Sequence, residues 1–294
     1  MKTELLVKKA TYLRIQAAEL AEGMKSGNFH SLYRGQGIEF TGVRDYIRGD
    51  DVRSIDWNVT ARMGKPFVKM FVEEREFQIF LIVDSSLSMK LDTKSCRRTK
   101  FESAEEAAAL VTIAAELNGC PIGAVFFDGA IYFSCKPALS KENTMNILNN
   151  LYRTPKGATK GSSLGNAIEC ACNLLRMRSL VFVLSDFRSA EWETPMTAIA
   201  HKNDVIAINI HDFIDEELPS LGTVVFEDVE SGIKMDLPSS SEKFKKEWRR
   251  YNQKKTERWQ DFCYKHGILP VTMDTKSEPL QVLNSIFTRK ARAR

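Results

Sequence analysis

Apolar residues near the start of the chain recur at spacings of four and three: Leu6, Ala10, Leu13, Ala17, Leu20 and Met24. That period predicts an amphipathic helix over residues 3–26. Residues 27–76 differ, with many glycines, interleaved charges and aromatics, and a short strand signal only at 66–72. From residue 77 the pattern becomes regular. Residues 77–83 form a continuous apolar run of strand length, and 101–118 are Ala-rich and helical, closed by Asn118-Gly119. Residues 122–127 predict a second strand and 131–134 a short third. Helices follow over about 140–151 and 163–176. Strands at 180–184 and 205–210 flank a further helix. Two short β runs around Ser231-Gly232 predict a hairpin within 224–237, followed by a charged helix over 241–265, a last strand at 268–273 and a last helix at 279–287.

Strand runs that are apolar on both faces and alternate with helices predict a doubly wound α/β fold. Its sheet is mostly parallel and covered on both sides. The helix and irregular segment before residue 77 are an N-terminal elaboration, and the hairpin is an insertion.

The 294 residues, 43% of them hydrophobic, suffice for a large core. No apolar run reaches the roughly 18 residues that span a bilayer. Residues 1–24 are charged throughout and lack a secretory cleavage pattern, so a soluble, cytoplasmic protein is expected. Six cysteines form no CxxC pair. Cys170 and Cys172 share a predicted helix but point about 200° apart. All six are expected to be reduced thiols. The net charge of +4 excludes no partner class. The basic helix 243–258 is interrupted by Glu247 and Glu257, preceded by Glu242, and carries Trp248, Tyr251 and Trp259. This reads as a packed helix with a solvated basic face, not a nucleic-acid interface. Residues 291–294 form a basic tail.

Asp84-Ser85-Ser86-Leu87-Ser88 follows directly on the first central strand. Ligands of open α/β sheets bind outside the carboxyl ends of strands. The D-x-S-x-S spacing puts the oxygens of Asp84, Ser86 and Ser88 on one turn, and hard cations such as Mg²⁺ prefer oxygen ligands. Ser86 and Ser88 can alternatively serve only to cap the next helix. The loop Gly161-Ser162-Ser163-Leu164-Gly165 can bring another hydroxyl, and Asp186 follows the strand at 180–184. Three loops at one sheet edge would then converge on one ion.

The same Gly161–Gly165 loop fits G-x-S-x-G, and Asp186 and His211 follow in hydrolase order. A serine hydrolase using Ser163, Asp186 and His211 is therefore the alternative reading. Residues 152–160 contain Pro155, Gly157 and three basic residues, a poor match to the buried strand such an elbow needs. No nucleotide-binding loop occurs, and the four histidines show no zinc spacing. His211, beside Asp212, is expected to be a solvated turn residue.

Residues 77–290 resemble a von Willebrand factor A domain, Rossmann-type in architecture, with a metal-ion-dependent adhesion site. The resemblance implies that Ser86 and Ser88 hold Mg²⁺ (or Mn²⁺) directly and that Asp84 and Asp186 act through water. The family's loop threonine aligns with Ser162 in Ser162-Ser163-Leu164-Gly165-Asn166-Ala167-Ile168, and Thr159 is the other candidate for that ligand. Neutral hydroxyl ligands leave much of the ion's charge uncancelled, which favours a carboxylate supplied by a partner.

Residues 35–62 resemble the signature of the domain-of-unknown-function 58 family. The matching residues are Gly37, Glu39, Phe40, Gly42, Arg44, Tyr46, Gly49, Asp50, Asp51, Arg53, Ile55, Asp56, Trp57, Ala61 and Arg62. Read from its residues alone, the segment interleaves Arg44, Arg48, Arg53 and Arg62 with acids. This suggests an ion-pair network, with cation binding by Asp50, Asp51 and Asp56 as the other option. Residues 1–76 are expected to form the helix-plus-signature region before the 77–290 domain. The resemblance implies a non-enzymatic adaptor that works with a MoxR-type AAA+ ATPase in assembly or maturation of a client protein. The partner or the client would supply the acidic residue.

Overall fold

In the computed structural model, which describes residues 2–26, 39–72, 78–91, 98–153, 163–216, 223–227 and 234–289, the apolar run after residue 77 forms β3 (Ile79–Asp84). All of β3 is excluded from solvent. Only a strand with neighbours on both sides and helices on both faces can be so buried. β3 pairs in parallel with β6 (Leu180–Ser185) on one side and with β4 (Ile122–Phe127) on the other. Beyond β6 lie β7 (Asp204–His211) and β10 (Leu269–Asp274), both parallel. Beyond β4 lies β5 (Ile131–Ala138), antiparallel. The six-stranded order is β10-β7-β6-β3-β4-β5, the doubly wound arrangement the sequence implies. It reverses at β3, so the switch point falls at the carboxyl ends of β3 and β6.

β5 runs to Ala138, well past residue 134. Pro137 ends no strand here because β5 is an edge strand, where a missing N–H costs no ladder bond. β10, the opposite edge, contains Pro270.

Alternate strand residues face opposite layers. Phe80, Ile82, Val125, Phe127, Val181 and Val183 share one core cluster with Leu164, Ala167, Ile168 and Ala171 of α6 (Leu164–Leu174). Met196 and Ile199 of α7 (Glu193–Lys202) join it, as do Trp259 and Cys263 of α9 (Glu242–Lys265). These last two, four residues apart, seat α9, while Lys243, Lys246, Arg250, Lys254 and Arg258 stay exposed. Tyr251, expected on the packed side, is exposed as well.

The other layer holds α4 (Lys100–Leu117), which packs on β3. Its start is fixed by a capping box: the Glu102 N–H donates to Thr99 Oγ1 at 3.1 Å and the Thr99 N–H to Glu102 Oε2 at 2.8 Å. Gly119, at φ 66°, supplies the left-handed stop. The opening helix α1 (Lys2–Ser26) lays Leu13, Ala17, Leu20 and Met24 into this layer, against α4 and α10 (Pro279–Arg289). The chain thus divides into one unit of Met1–Phe29 with Phe77–Arg294 and a second of His30–Glu76. α1 belongs to the first unit, whereas the sequence grouped it with the signature segment.

In the second unit β1 (Glu39–Asp45) pairs antiparallel with β2 (Phe67–Val72), with α2 (Trp57–Met63) between them in sequence. The expected hairpin is present as β8 (Thr223–Glu227) and β9 (Lys234–Pro238). Cys120, Cys135, Cys170, Cys172 and Cys263 are free thiols, and Cys96 lies outside the described residues. Among the described residues no helix is long and apolar enough to cross a membrane.

Gly123 lies where β4 is squeezed between β3 and β5. A Cβ there would fall 2.6 Å from Pro137 N, 2.8 Å from Phe80 Cε2 and 2.9 Å from Cys135 O. Two of these atoms are backbone and cannot swing aside. Gly123→Ala is expected to lower stability by about 1–3 kcal/mol, as overpacking does. Urea unfolding of the two proteins checks this; equal midpoints would show that β5 yields.

Candidate metal centre

β3 delivers Asp84 to the switch point, and the chain then turns into the short helix α3 (Leu87–Lys90). Asp84, Ser86 and Ser88 are all buried. The Ser86 N–H donates to Asp84 Oδ1 at 2.9 Å, folding the turn back on the carboxylate. Ser86 stands at the N-cap of α3, yet its hydroxyl makes no cap hydrogen bond. Its Oγ lies 3.1 Å from Ser88 Oγ. The two hydroxyls therefore face each other, and capping alone does not account for them.

The neighbouring loop completes the arrangement. Ser185, the last residue of β6, donates from Oγ to Asp84 Oδ2 at 2.6 Å and accepts the Phe187 N–H at 3.0 Å. Asp186 follows, also buried. The structure thus brings Asp84, Ser86, Ser88 and Asp186 to one sheet edge. Ser162 and Thr159, the two candidates for the loop ligand, lie outside the described residues.

The two carboxylates differ in their electrostatics. Asp186 Oδ2 has Lys100 Nζ and Arg188 Nε each at 3.5 Å. Lys100 also reaches Asp215 Oδ2 at 2.8 Å, and Arg188 pairs with Asp215 too. Burial works to raise the pKa of Asp215, but Lys100 and then Arg188 hold it below the ordinary carboxyl value. Asp84 has no ion pair among the described residues. Burial, and then the nearby charge of Asp186, push its pKa up to about 7, against the hydrogen bonds from Ser185 and Ser86.

Sequence reasoning missed Lys100, Ser185, Arg188, Asp215 and Asp128. Asp128 is buried just beyond β4; its Oδ1 accepts the Ala130 N–H at 3.0 Å and its carbonyl the Ser163 N–H at 3.1 Å. Ser185 was legible in principle, since Ser185-Asp186 follows β6 as Asp84-Ser85 follows β3. Lys100 was not, because a lysine in the first turn of a helix opposes the helix dipole and signals nothing locally.

This donor set suits a hard dication: every candidate is an oxygen, and Asp84, a buried carboxylate with no ion pair among the described residues, stands beside two hydroxyls in contact. Among the described residues no three of His, Cys, Asp and Glu gather in a metal-binding group, so a softer, histidine- or thiolate-rich site is not what these side chains form.

The hydrolase candidates have other neighbours. Ser163 Oγ accepts from the Asn166 side-chain amide at 2.8 Å, and Asp186 faces Lys100 and Arg188. His211, half-buried rather than in a solvated turn, has Nε2 3.7 Å from Asp274 Oδ2.

In the signature segment Arg44 grips Asp50 through two bonds of 2.7 and 2.9 Å, and the Ile47 N–H adds a third at 2.9 Å. These bonds, Arg44 first, lower the pKa of Asp50 to about 2. Asp51 accepts the Arg53 N–H at 2.9 Å, and Asp56 caps α2 by accepting from Asn58 and Val59. Gly49, at φ 115°, makes the turn that precedes Asp50. The Tyr46 N–H donates to Pro66 O at 3.0 Å and helps tie the strands' ends. Among the described residues the expected arginine network contracts to one arginine pair plus two caps: Arg48, Arg53 and Arg62 are exposed, as is Trp57. Gly37 and the side chains of Glu39 and Phe40 lie outside the described residues.

A doubly wound α/β sheet with a polar switch point and a separate signature unit is what the fold and site define. The model of the family described as "Protein of unknown function DUF58" matches residues 42–258, and the chain belongs to that family. Uncharacterized protein Rv1480 of Mycobacterium tuberculosis is 33% identical over 223 residues, covering 75% of this chain and 70% of that one. Among solved structures, an aerotolerance-related membrane protein from Bacteroides fragilis aligns with a TM-score of 0.46 at 15% identity, over 72% of this chain and 99% of that one. Proximal thread matrix protein 1 from the mussel byssus, solved with a zinc-occupied MIDAS motif, aligns with a TM-score of 0.34 at 20% identity, over 47% of this chain and 38% of that one.

The raised Asp84 pKa has a testable consequence in metal-free protein. A folded-state pKa above the unfolded value means the native state binds the proton more tightly. Its contribution is complete below about pH 4 and is lost as pH rises toward about 7. Asp84→Asn is expected to flatten that loss. Urea midpoints of both proteins in chelator at about pH 5 and about pH 8 check this. Parallel declines would show that Asp84 is not the titrating group.

Proposed function

We propose that this protein is a metal-dependent adaptor that engages a protein partner and carries out no chemistry of its own. The observation that carries the reading is the Asp84–Ser86–Ser88 turn. A buried carboxylate lacking a counter-ion stands there with two hydroxyls directed at each other and not used as caps. Ser86 and Ser88 would hold Mg²⁺ or Mn²⁺ directly, with Asp84 and Asp186 acting through water. Neutral hydroxyls leave the ion electron-poor, so its remaining position takes a carboxylate from a partner. Lys100 and Arg188 already neutralise Asp186 and Asp215, which keeps those acids from cancelling the ion's charge. The partner class we infer, by family resemblance, is a MoxR-type AAA+ ATPase, acting in the cytoplasm on a client under assembly or maturation.

Calorimetry is expected to show Mg²⁺ or Mn²⁺ binding that Asp84→Ala and Ser86→Ala abolish. Pull-down of a MoxR-type ATPase should weaken in chelator and in Ser86→Ala by roughly thirtyfold or more, the scale for truncating a buried charged contact. Binding that ignores chelator and falls only with salt would replace this mechanism by electrostatic docking through the basic tail. Stoichiometric labelling of Ser163 by a serine-reactive phosphonate would instead establish a hydrolase.

A further inference from the structure

A cavity of about 480 Å³ opens at the carboxyl ends of β6, β7 and β10, with residues of α9 along its other side. Its wall and floor have different chemistry. Phe187 and Trp259, both almost wholly buried, line it with their ring centroids 5.3 Å apart. Phe187 is held at φ 50°, a left-handed conformation uncommon for a residue with a side chain. Strained backbone of this kind persists where the surroundings enforce it and concentrates at ligand sites. Trp259 Nε1 is buried without an acceptor.

The wall is cationic. Arg188, Arg249 and Lys255 line it, along with Asp186 and Asp215. The two acids are already engaged by Lys100 and Arg188. No carboxylate pairs with Lys255 among the described residues. Burial first, and then the charge of Arg188, depress its pKa, opposed by Asp186 and Asp215. Positive side chains beside two buried aromatic rings reward an anion that carries an apolar body.

We propose that this cavity binds an organic carboxylate with an aromatic or aliphatic body, the carboxylate meeting Lys255 and the body lying against Phe187 and Trp259. The site needs no ion at Asp84. The same chemistry can come from a free acid or from an acidic side chain next to an apolar residue in a partner protein.

The experiment titrates the full chain, in chelator, with N-acetylphenylalanine, with the blocked dipeptide acetyl-Phe-Asp-amide, and with uncharged N-acetylphenylalaninamide as control. Calorimetry gives affinity, and the indole N–H resonances in nitrogen-15 spectra report on Trp259, assigned by its loss in Trp259→Phe. At least one acid is expected to bind and shift the Trp259 signal, and the tighter of the two identifies the source. The neutral amide and Lys255→Ala should each weaken binding by about tenfold, the scale of one charge-assisted contact. Lys255 makes no ion pair among the described residues, so its replacement breaks none. Absence of binding by both acids overturns the proposal, as does equal binding of the amide or unchanged affinity in Lys255→Ala. Since Ser86→Ala tests the ion and Lys255→Ala tests the cavity, the two readings fail separately.

Discussion

The exclusion of β3 from water governs the rest of this molecule. Ile79, Phe80, Leu81, Ile82 and Val83 are buried on both faces, which is possible only for a strand flanked by other strands and covered by two helical layers. That position also makes β3 the place where strand order reverses. The residue that ends it therefore emerges between two neighbouring strand ends instead of into bulk water. Asp84 is buried because of where its strand lies in the sheet, and the polarity of the edge follows from the topology.

Burying acids has two resolutions here, side by side. Asp186 and Asp215 are matched by Lys100 and Arg188, an arrangement in which each charge has a partner. Asp84 is left to hydrogen bonds from Ser185 and Ser86, which lower its pKa less than burial and Asp186 raise it. An unpaired buried carboxylate takes up a proton or acquires a cation. The contrast separates a structural cluster from a turn with capacity for a ligand, although the two share Asp186 and its surroundings.

Legibility in the sequence followed the range of the interactions. The strands and helices of the α/β unit were readable because apolar periodicity is local, and the Asp84–Ser88 turn because its spacing is. Lys100 meets Asp186 across 86 residues, and no local signal marks that pairing. The same holds for α1: its stripe announced a helix but not that α4 and α10 would receive it. In the signature segment the charges were visible, but their geometry was not. Asp51 and Asp56 bond backbone N–H groups, leaving Arg53 and Arg62 in solvent, because short turns offer unpaired donors closer than any guanidinium. β5 extends to Ala138, past the expected 134, because an edge strand tolerates Pro137.

The two edge prolines have a consequence for self-association. An open sheet exposes a row of unpaired backbone groups at each end, and these can template a second copy. β5 carries Lys136 and Pro137 and pairs with β4 through two irregularities of register, while β10 carries Pro270. Each proline deletes a donor from its strand, and the irregular register spoils the flatness that continuous pairing requires. The sheet is thereby blunted at both margins, and copies of this chain are guarded against growing into one another strand by strand.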